Sequence, residues 1–591
     1  MQEITRVFDL LSYNKANYQY KDVLAYKVNG KWANYNINDF IRISDQVSRG
    51  LIKRGIQKGD KVAIMSDNRP EWNFCDFGIM QIGATQVPMY PTLAETDIQF
   101  ILKDAEVKVI FVSNKDLHDK VSKIAEAAEY DIAIYTFDVV EGVPHWLEIT
   151  EGIDTANVNL DDYRSKIGGD DLLTLIYTSG TTGTPKGVML THKNLLSNIE
   201  ASSKLYPDGV KRALSFLPLS HIFERMVVYM YFYLGVSVYY AESLDTIVQN
   251  LTEVKPHCFT TVPRLLEKVY DKIVSKGHEL TGIKKSLFFW ALNLGLKYEV
   301  DGANGWWYET QLKLARKLIF SKWREALGGE VMLIVSGGAA LQERLARVFW
   351  GAGIKVLEGY GLTETSPVIA VNGPRKGEIK FGTVGKPLFN VEVKIAEDGE
   401  ILCKGPSLMK GYYKRPDATE ESITDGWFHT GDIGTLEGGF LAITDRKKEF
   451  FKTAGGKYVA PQVLENKFKE SIYIEQVIVV GENRRFPSAL IIPNFEKIGE
   501  WARLHGIQET DHEKLIKDKK VYEKIWSEVD RLNEGFGKWE KVKKIALLAK
   551  EFTIDGGELT PKLSLRRKVI LNNYKDLIEA LYKDEENHDH Y

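Results

Sequence analysis

The alternation of helical and strand patterns near the start of the chain is the feature that most constrains its fold. Apolar residues recur at helical spacing over 41–52, and Asn36 precedes them as a candidate N-cap, with Asp39 three residues later. Residues 61–66 then have the apolar, partly alternating pattern of a strand. The pattern continues with a helix at 71–83, a strand at 84–90, a helix at 96–105 and a strand at 108–113. This alternation predicts an α/β fold in which parallel-rich sheets are layered with helices.

A charged segment at 445–449 marks the expected boundary between two domains. The chain of 591 residues is long enough for several domains, and the five charged residues of this segment are soon followed by two glycines. We therefore predict a large N-terminal domain over 1–444, an exposed hinge linker at 445–450 and a small, mobile α+β domain over 451–591. Near the end of the chain, one helical face is predicted for Leu571, Tyr574, Leu577, Ile578 and Leu581.

Charge balance and cysteine content exclude several classes of protein. The 78 Lys and Arg residues and 81 Asp and Glu residues give a net charge of -3, whereas a domain that binds nucleic acid in bulk is strongly basic. Cys75, Cys258 and Cys403 lie far apart, which is the spacing of neither a metal site nor a disulfide framework. The first residues do not have the pattern of a signal peptide. We expect a cytoplasmic protein that does not bind nucleic acid.

Two apolar regions raise the question of contact with a membrane. Residues 226–241 form an uncharged apolar segment that is shorter than the roughly 20 residues of a membrane span, and Gly235 and Ser237 divide it. We predict a buried helix followed by a buried strand there. Residues 276–327 are rich in Lys, Leu, Phe and Trp and are predicted to be helical. Their aromatic side chains are expected to pack in a core; an amphipathic surface that touches lipid is the alternative.

Residues 174–192, TLIYTSGTTGTPKGVMLTH, indicate a phosphate-binding loop. An apolar strand leads into a stretch of Thr, Ser and Gly, and Lys186 follows. Glycines let backbone N–H groups approach an anion, hydroxyls add donors, and a lysine neutralises phosphate charge. A flexible turn is the plainer interpretation of an isolated GTTG, but the preceding strand and the hydroxyl density favour phosphate. The loop is not a Walker A motif, because Lys186 stands between Pro185 and Gly187.

The segment TSGTTGTPKG resembles the signature loop of the adenylate-forming, or AMP-binding, superfamily. Further segments match the family pattern in order: LPLSHIFER, SGGAAL, LEGYGLTETSP, GWFHTGDIG and TDRKKEFFKTAGGKYVAP. The resemblance covers nearly the whole chain and is strongest to the long-chain fatty acid–CoA ligase branch. It implies an enzyme that joins a fatty acid to AMP from ATP, with release of pyrophosphate, and then transfers the acyl group to coenzyme A. Magnesium and cationic side chains would offset phosphate charge in the first step.

The resemblance also implies roles for individual residues. Thr181 and Glu364 would be the magnesium ligands, and Tyr360 would stack on adenine. Asp432 and Arg446 would hold the ribose. The residues expected to bind the nucleotide are Thr178, Ser179, Gly180, Thr181, Thr182, Gly183, Lys186, Gly338, Glu358, Gly359, Tyr360, Thr363, Asp432, Arg446, Lys448 and Lys452. The residues expected to act in catalysis are Lys186, His221, Glu364 and Lys562.

Four of these residues have plainer interpretations when each is considered alone. Tyr360 would be core or surface filler. Asp432 would shape a turn beside a glycine, and Glu364 would serve a turn or a helix cap. His221 would be a satisfied core histidine, although a histidine can also titrate near neutral pH. The surrounding motifs favour the functional role for Tyr360 and Glu364, and both interpretations stay open for Asp432 and His221.

The C-terminal segment GGELTPKLSLRRKVI departs from the family pattern. Long-chain relatives commonly have a lysine three residues after the proline, and this chain has Ser564 there. Lys562 is our candidate for the lysine that helps activate the carboxylate, and Lys568 is the other lysine nearby.

Two other functions compete with the ligase. One is an acyl-adenylating enzyme that loads a carrier protein, and the other is a non-catalytic relative that binds lipid or nucleotide. The expected partners are a fatty acid, ATP and coenzyme A. We also expect the protein to contact the inner face of a membrane peripherally and to form a homodimer.

Overall fold

The computed structural model describes residues 4–151, 157–178, 185–243, 245–447, 449–553, 556–560 and 565–583. The chain forms two compact units. We call the first the large unit; it comprises Met1–Lys394, Leu402–His429 and Gly438–Leu441. The second, the small unit, comprises Ile395–Ile401, Thr430–Glu437 and Ala442–Tyr591.

The strands of the described residues are β1 (Leu24–Val28), β2 (Lys31–Tyr35), β3 (Lys61–Met65), β4 (Thr85–Met89), β5 (Val107–Val112), β6 (Ala133–Thr136), β7 (Leu172–Thr178), β8 (Lys186–Thr191), β9 (Arg212–Ser215), β10 (Ser237–Tyr240), β11 (Cys258–Thr261), β12 (Leu333–Ser336), β13 (Val356–Gly361), β14 (Val368–Val371), β15 (Lys386–Pro387), β16 (Glu392–Ile395), β17 (Glu400–Lys404), β18 (Gly411–Tyr412), β19 (Ile423–Thr424), β20 (Trp427–Glu437), β21 (Phe440–Arg446), β22 (Phe451–Lys452), β23 (Tyr458–Val459), β24 (Ile474–Val480), β25 (Ser488–Pro493) and β26 (Lys544–Leu547).

The α-helices of the same residues are α1 (Asp9–Asn17), α2 (Ile37–Lys53), α3 (Pro70–Met80), α4 (Glu95–Ala105), α5 (Lys115–Ala127), α6 (Asp161–Arg164), α7 (His192–Ser203), α8 (Ile222–Leu234), α9 (Ile247–Val254), α10 (Pro263–Glu279), α11 (Gly282–Leu296), α12 (Trp306–Ala315), α13 (Ser321–Ala326), α14 (Glu343–Gly351), α15 (Pro416–Ser422), α16 (Pro461–Phe468), α17 (Phe495–Leu504), α18 (His512–Leu515), α19 (Lys519–Leu532), α20 (Arg567–Asn573) and α21 (Lys575–Tyr582).

Two large sheets confirm the predicted α/β fold. One has seven strands in the order β18-β8-β7-β4-β3-β5-β6, and the other has nine in the order β15-β14-β13-β12-β11-β9-β10-β1-β2. In the second sheet β9, β11, β12 and β13 are parallel neighbours, so their carboxyl ends share one edge. In open α/β sheets, ligands bind outside the carboxyl ends of the strands. The fold therefore directs attention to the loops that follow these four strands.

Two local predictions in the large unit are confirmed. Asn36 caps α2, accepting from the backbone N–H groups of Asn38 and Asp39, and the Asp39 carboxylate accepts from the N–H of Asn36. The apolar segment 226–241 is divided into buried helix α8 and buried strand β10. Gly235 ends α8 in the left-handed conformation, with φ of 69°, which a glycine adopts without strain.

The Trp-rich segment is helical as predicted, and its aromatic side chains divide between a core and the surface. Phe288, Phe320 and Trp323 are buried in one apolar cluster, whereas Trp306 and Trp307 are exposed. Among the described residues, no helix is both long and apolar enough to span a bilayer.

The small unit is α+β, and its details correct two predictions. Its three-stranded sheet has the order β24-β25-β26. The single helix predicted near the chain end is two helices, α20 and α21, separated at Tyr574, and Leu571 is exposed instead of lying on the apolar face. Asp445, expected in an exposed linker, is fully buried at the end of β21. Both its oxygens accept backbone N–H bonds, which offsets the loss of solvent.

Candidate active site

The loop after β9 and the loop after β12 meet at the shared sheet edge. His221 caps the N-terminus of α8, and its Nδ1 accepts from the Phe223 N–H at 3.1 Å, so the neutral ring carries its proton on Nε2. The Phe223 ring lies 3.2 Å from the position that a Cβ on Gly337 would take. The first turn of α8, which His221 caps, therefore lies against the Gly337–Gly338 loop.

Gly338 adopts a backbone conformation that favours glycine. Its φ is +83°, and the atom nearest to the position that a Cβ would take there is Val262 Cγ1, at 3.9 Å. Any other residue would be strained by the backbone angle, not by lack of space. The open space beside Gly338 fits the predicted approach of a flat ring to the backbone.

Glu358 lies inside the protein, where it shapes the loop after β12. Its carboxylate is buried and accepts the Leu341 N–H at 2.9 Å. Burial raises the pKa of Glu358 to about 8. Among the neighbouring predicted residues, Thr363 is buried, whereas Gly359 and Tyr360 are half-buried at the end of β13.

Lys186, Glu364 and Tyr412 form the second group of the large unit. The Tyr412 hydroxyl donates to Glu364 Oε1 at 2.9 Å, and Lys186 Nζ lies 5.0 Å from the centre of the Tyr412 ring. Burial and the Glu364 charge both raise the pKa of Tyr412, so it stays a neutral donor. The Tyr412 side chain thus contacts a cation, Lys186, through its ring and a carboxylate, Glu364, through its hydroxyl.

Sequence reasoning missed Tyr412. It lies 48 positions from Glu364 and reaches it because β18 pairs with β8, with Tyr412 opposite Val188. The backbone strengthens the same contact, since the Met409 N–H donates to the Glu364 carbonyl at 2.8 Å. Nothing in the segment GYYKRP distinguishes Tyr412 from Tyr413, so only the strand pairing could have identified it.

The two ends of the predicted phosphate loop are held together. Thr178 at the end of β7 is paired with Lys186 at the start of β8 in antiparallel register. The predicted loop residues Ser179, Gly180, Thr181, Thr182 and Gly183 lie outside the described residues. Lys448, Lys562 and Ser564 also lie outside them.

The small unit holds the predicted ribose-binding pair. Arg446 Nε lies 3.6 Å from Asp432 Oδ1; the Asp432 side chain is buried and that of Arg446 is half exposed. Lys447 next to Arg446 is bound to Asp398 and Glu400, at 2.6 and 2.8 Å. These bonds leave Lys447 a structural residue.

Lys452 is the remaining predicted nucleotide residue of the small unit. It is exposed, and its Nζ lies 4.8 Å from the centre of the Tyr458 ring.

Comparison with known proteins gives a consistent result over the whole chain. A family model described as "AMP-binding enzyme" matches residues 13–413, and one described as "AMP-binding enzyme C-terminal domain" matches residues 450–586. The long-chain-fatty-acid–CoA ligase FadD15 of Mycobacterium bovis is 35% identical over 572 residues, covering 94% of each chain. The peroxisomal long chain acyl-CoA synthetase 6 of Arabidopsis thaliana is 32% identical, covering 94% of this chain and 82% of that protein.

Solved structures share the fold. The A domain of a carboxylic acid reductase from Segniliparus rugosus, in complex with AMP and a carboxylic acid, has a TM-score of 0.75 at 20% identity, covering 99% of this chain and 95% of that one. The o-succinylbenzoate coenzyme A synthetase of Bacillus subtilis, in complex with ATP and magnesium, has a TM-score of 0.68 at 20% identity, covering 95% and 98%.

Proposed function

Because the chain belongs to the AMP-binding enzyme family, we propose that it activates a long-chain fatty acid with ATP and transfers the acyl group to coenzyme A. In the first step a carboxylate oxygen attacks the α-phosphorus of ATP; acyl-AMP forms and pyrophosphate leaves. In the second step the thiol of coenzyme A attacks the acyl carbonyl and AMP leaves. The names of relatives that match 94% of the chain support this substrate class.

The contact of Lys186 and Glu364 with Tyr412 is the observation that carries the proposal. Mg²⁺ is commonly held by one or two carboxylates together with substrate phosphates and water, which Glu364 fits. Within the part of the chain that the structure describes, no three or more His, Cys, Asp or Glu side chains form a metal cage, and a nucleotide-borne Mg²⁺ needs none. When bound, Mg²⁺ would offset the phosphate charge. Lys186 would bind the same phosphates, and Tyr412 would keep the Glu364 carboxylate oriented.

The other residues fall into two roles under this proposal. Gly338 and Tyr360 would accept adenine, and His221 would donate from Nε2 near the reacting carboxylate and α-phosphate. Asp432 and Arg446 would hold the ribose hydroxyls. The roles of Thr178–Gly183, Thr363, Lys448, Lys452 and Lys562 rest on the family resemblance.

The domain division is also part of the proposal. The large domain would span 1–444, the hinge 445–450 and the small domain 451–591, with the small domain rotating between the two steps. We further propose a cytoplasmic protein that contacts a membrane peripherally and forms a homodimer.

Pyrophosphate release tests the reaction. Purified protein is given ATP, Mg²⁺ and each of a panel of medium- to long-chain fatty acids, with and without coenzyme A. We expect release that increases when coenzyme A is added and that is strongest for long chains. Release with no response to coenzyme A would favour the carrier-loading enzyme. Folded protein that releases nothing with any acid would favour the non-catalytic relative.

Tyr412→Phe tests the site, with Tyr413→Phe as its matched control. Tyr412→Phe removes one hydrogen bond to a charged group, so we expect kcat/KM for Mg·ATP to fall about tenfold. A higher Mg²⁺ concentration for half-maximal rate should accompany this fall. Tyr413 has no bond to Glu364 among the described contacts, and its variant should keep the wild-type values. Equal behaviour of the two variants would remove Tyr412 from the site.

A further inference from the structure

Four large apolar side chains are exposed along one short stretch of the large unit. Trp306 and Trp307 begin α12 and are 78% and 62% exposed; Leu314 and Leu318 follow at 50% and 46%. Isolated exposed apolar residues are common on soluble proteins and need no explanation. Four within thirteen positions, two of them tryptophans, are a concentration of exposed apolar side chains of the kind that marks an interaction surface.

The spacing of these residues places them on one side of the helix. Trp307 and Leu314 are seven positions apart on one face of α12, and Leu318 follows four positions later in the π-helical turn Arg316–Phe320 that continues the helix. Lys313 and Lys317 follow Trp306 at the same spacing and form the adjacent row. Both lysines are exposed, and the two tryptophan rings touch edge to face with centroids 5.7 Å apart. We call these six residues the tryptophan ridge.

The ridge faces solvent, because the opposite side of the same helices is packed in an apolar core. Leu312 and Ala315 of α12 are fully buried, as are Phe320 and Trp323 farther along. All four belong to one apolar cluster that also contains Phe259 of β11. The same cluster therefore reaches from the helices that present the ridge to β11, the strand that ends at the candidate active site.

Charge indicates what covers the ridge. Residues 306–326 contain five Lys and Arg residues and two Glu residues, a local charge of +3 in a chain of net charge -3. Tryptophan prefers the boundary between lipid tails and headgroups, and nearby lysines are attracted to anionic headgroups. A second copy bound through the same face would bring Lys313 and Lys317 of both copies into one interface, where their like charges repel.

We propose that the tryptophan ridge docks the protein on the surface of an anionic lipid bilayer. Trp306, Trp307, Leu314 and Leu318 would enter the interface, and Lys313 and Lys317 would lie among the headgroups. This is the binding mode of an interfacial amphipathic helix. The proposal rests on the proposed function only in its purpose, which is to let a substrate dissolved in the bilayer reach the active site.

Vesicle sedimentation of the full-length protein tests the proposal. The vesicles are phosphatidylcholine alone and phosphatidylcholine mixed with phosphatidylglycerol. We expect the protein to sediment with the mixed vesicles, and less so as salt is raised. Trp306→Ala/Trp307→Ala should lower the partition coefficient about tenfold or more. Trp539→Ala is the matched control, since this small-unit tryptophan is 48% exposed, and it should change nothing.

A charge-reversal pair tests the headgroup preference. Lys313→Glu/Lys317→Glu should abolish the preference for anionic vesicles, whereas Lys103→Glu/Lys123→Glu, on exposed lysines of α4 and α5, should retain it. Folded wild-type protein that binds neither vesicle, or a Trp306→Ala/Trp307→Ala variant that binds like wild type, would overturn the proposal. A dimer that this variant alone disrupts, without vesicle binding, would identify a second copy as the occupant.

Pyrophosphate release with a water-soluble, medium-chain acid separates this proposal from the proposed function. The tryptophan variant should release pyrophosphate at the wild-type rate, because the ridge residues are not placed in the active site. Wild-type protein that binds vesicles but releases nothing would leave docking supported and overturn the ligase. Wild-type protein that releases pyrophosphate but does not bind vesicles would leave the ligase supported and overturn docking.

Discussion

Each unit contains a largely buried arginine, and the two differ in their partners. In the large unit, Arg225 Nη2 donates to Asp76 at 2.5 Å, and both side chains are at most 1% exposed. Its other nitrogens donate to the Tyr229 hydroxyl and to Thr174 Oγ1, each at 2.7 Å. One charge is thus balanced by one opposite charge and by neutral groups.

In the small unit, Arg567 is bound by two carboxylates. It donates to both oxygens of Glu465, at 2.5 and 2.6 Å, and to Glu449 at 2.8 Å. Glu465 is buried, but Glu449 is 21% exposed and belongs to the segment that we assign to the hinge.

The difference shows which cluster can change without destroying its unit. The Arg225 cluster joins α3, β7 and α8, and it has no spare charge. The Arg567 cluster has one carboxylate more than it needs, and that carboxylate is next to the hinge. We infer that the first cluster is a fixed part of the core and that the second can release Glu449.

Asp76→Asn should give the largest effect. It leaves Arg225 buried without a counter-charge, and a guanidinium cannot lose its proton to escape the penalty. We expect the large unit to lose about 3–5 kcal/mol of stability. Hydrogen exchange of peptides from α3 and α8 measures this unit separately. Asp417→Asn, which breaks the exposed Arg415 pair, is the control and should leave stability nearly unchanged, because water and salt screen exposed ion pairs. Equal protection in the two variants would contradict a core role for the cluster.

Glu224→Gln sharpens the comparison, because Glu224 is the neighbour of Arg225 and is buried. Among the described residues, its carboxylate accepts from the hydroxyls of Ser215 and Thr260. Burial raises its pKa to about 7, from an ordinary value of 4.5. Between these values the unfolded chain loses the proton and the folded chain keeps it. The contribution of this group to wild-type stability should therefore be greatest below pH 4.5 and fall as pH rises to 7, by up to about 3 kcal/mol.

The variant should lack that part of the pH dependence. Glu358 and Asp445 have raised pKa values of about 8 and 7 and titrate over a similar range, so the difference between variant and wild type isolates Glu224. Urea unfolding at several pH values measures this difference in the free energy of unfolding. A constant difference from pH 4 to 8 would show that the Glu224 carboxyl titrates normally.

Arg567→Met should have a smaller effect than Asp76→Asn. It leaves Glu465 and Glu449 without their cation, but a carboxylate, unlike a guanidinium, can bind a proton. Burial already raises the pKa of Glu465, and removing Arg567 should raise it further. We expect about 2 kcal/mol of destabilisation near neutral pH, diminishing as pH is lowered, in hydrogen exchange of α16 and β24 peptides. A loss independent of pH would mean that packing, not charge, holds the cluster.

The features that the sequence predicts well are those set by neighbouring residues. The alternation near the start of the chain gave the α/β fold, and the cap at Asn36 and the break at Gly235 follow from local backbone geometry. The resemblance supplied the candidate residues, and the loops that contain His221 and Gly338 do lie at one sheet edge.

The features that it misses depend on distant contacts. Arg225 is the last residue of the segment LPLSHIFER, and nothing in that segment identifies its partner Asp76, which is 149 positions away. Tyr412 meets Glu364 only through the pairing of β18 with β8. Asp445 is in a run of charges that is typical of a solvated linker, yet it is buried, and its carboxylate accepts the Gln462 N–H at the start of α16. The hydrophobic periodicity of a sequence carries no information about such contacts between distant residues.

Glu449→Gln should give the smallest change in stability and the clearest test of the comparison. Arg567 Nη2 keeps its hydrogen bonds to both oxygens of Glu465, so we expect the small unit to lose less than about 1 kcal/mol of stability, as measured by hydrogen exchange. Under the proposed rotation, weakening the bond next to the hinge should alter the balance between the two steps. We expect the ratio of acyl-CoA formed to pyrophosphate released in single turnover to change severalfold.

Glu470→Gln, which removes a partly exposed pair with Lys467, is the control. It should match wild type in both measurements. If Glu449→Gln instead destabilised the small unit as much as Arg567→Met, Glu449 would be as fixed a part of its core as Asp76 is of the large unit's. The spare carboxylate would then have no bearing on the hinge, because releasing it would unfold the structure that must rotate.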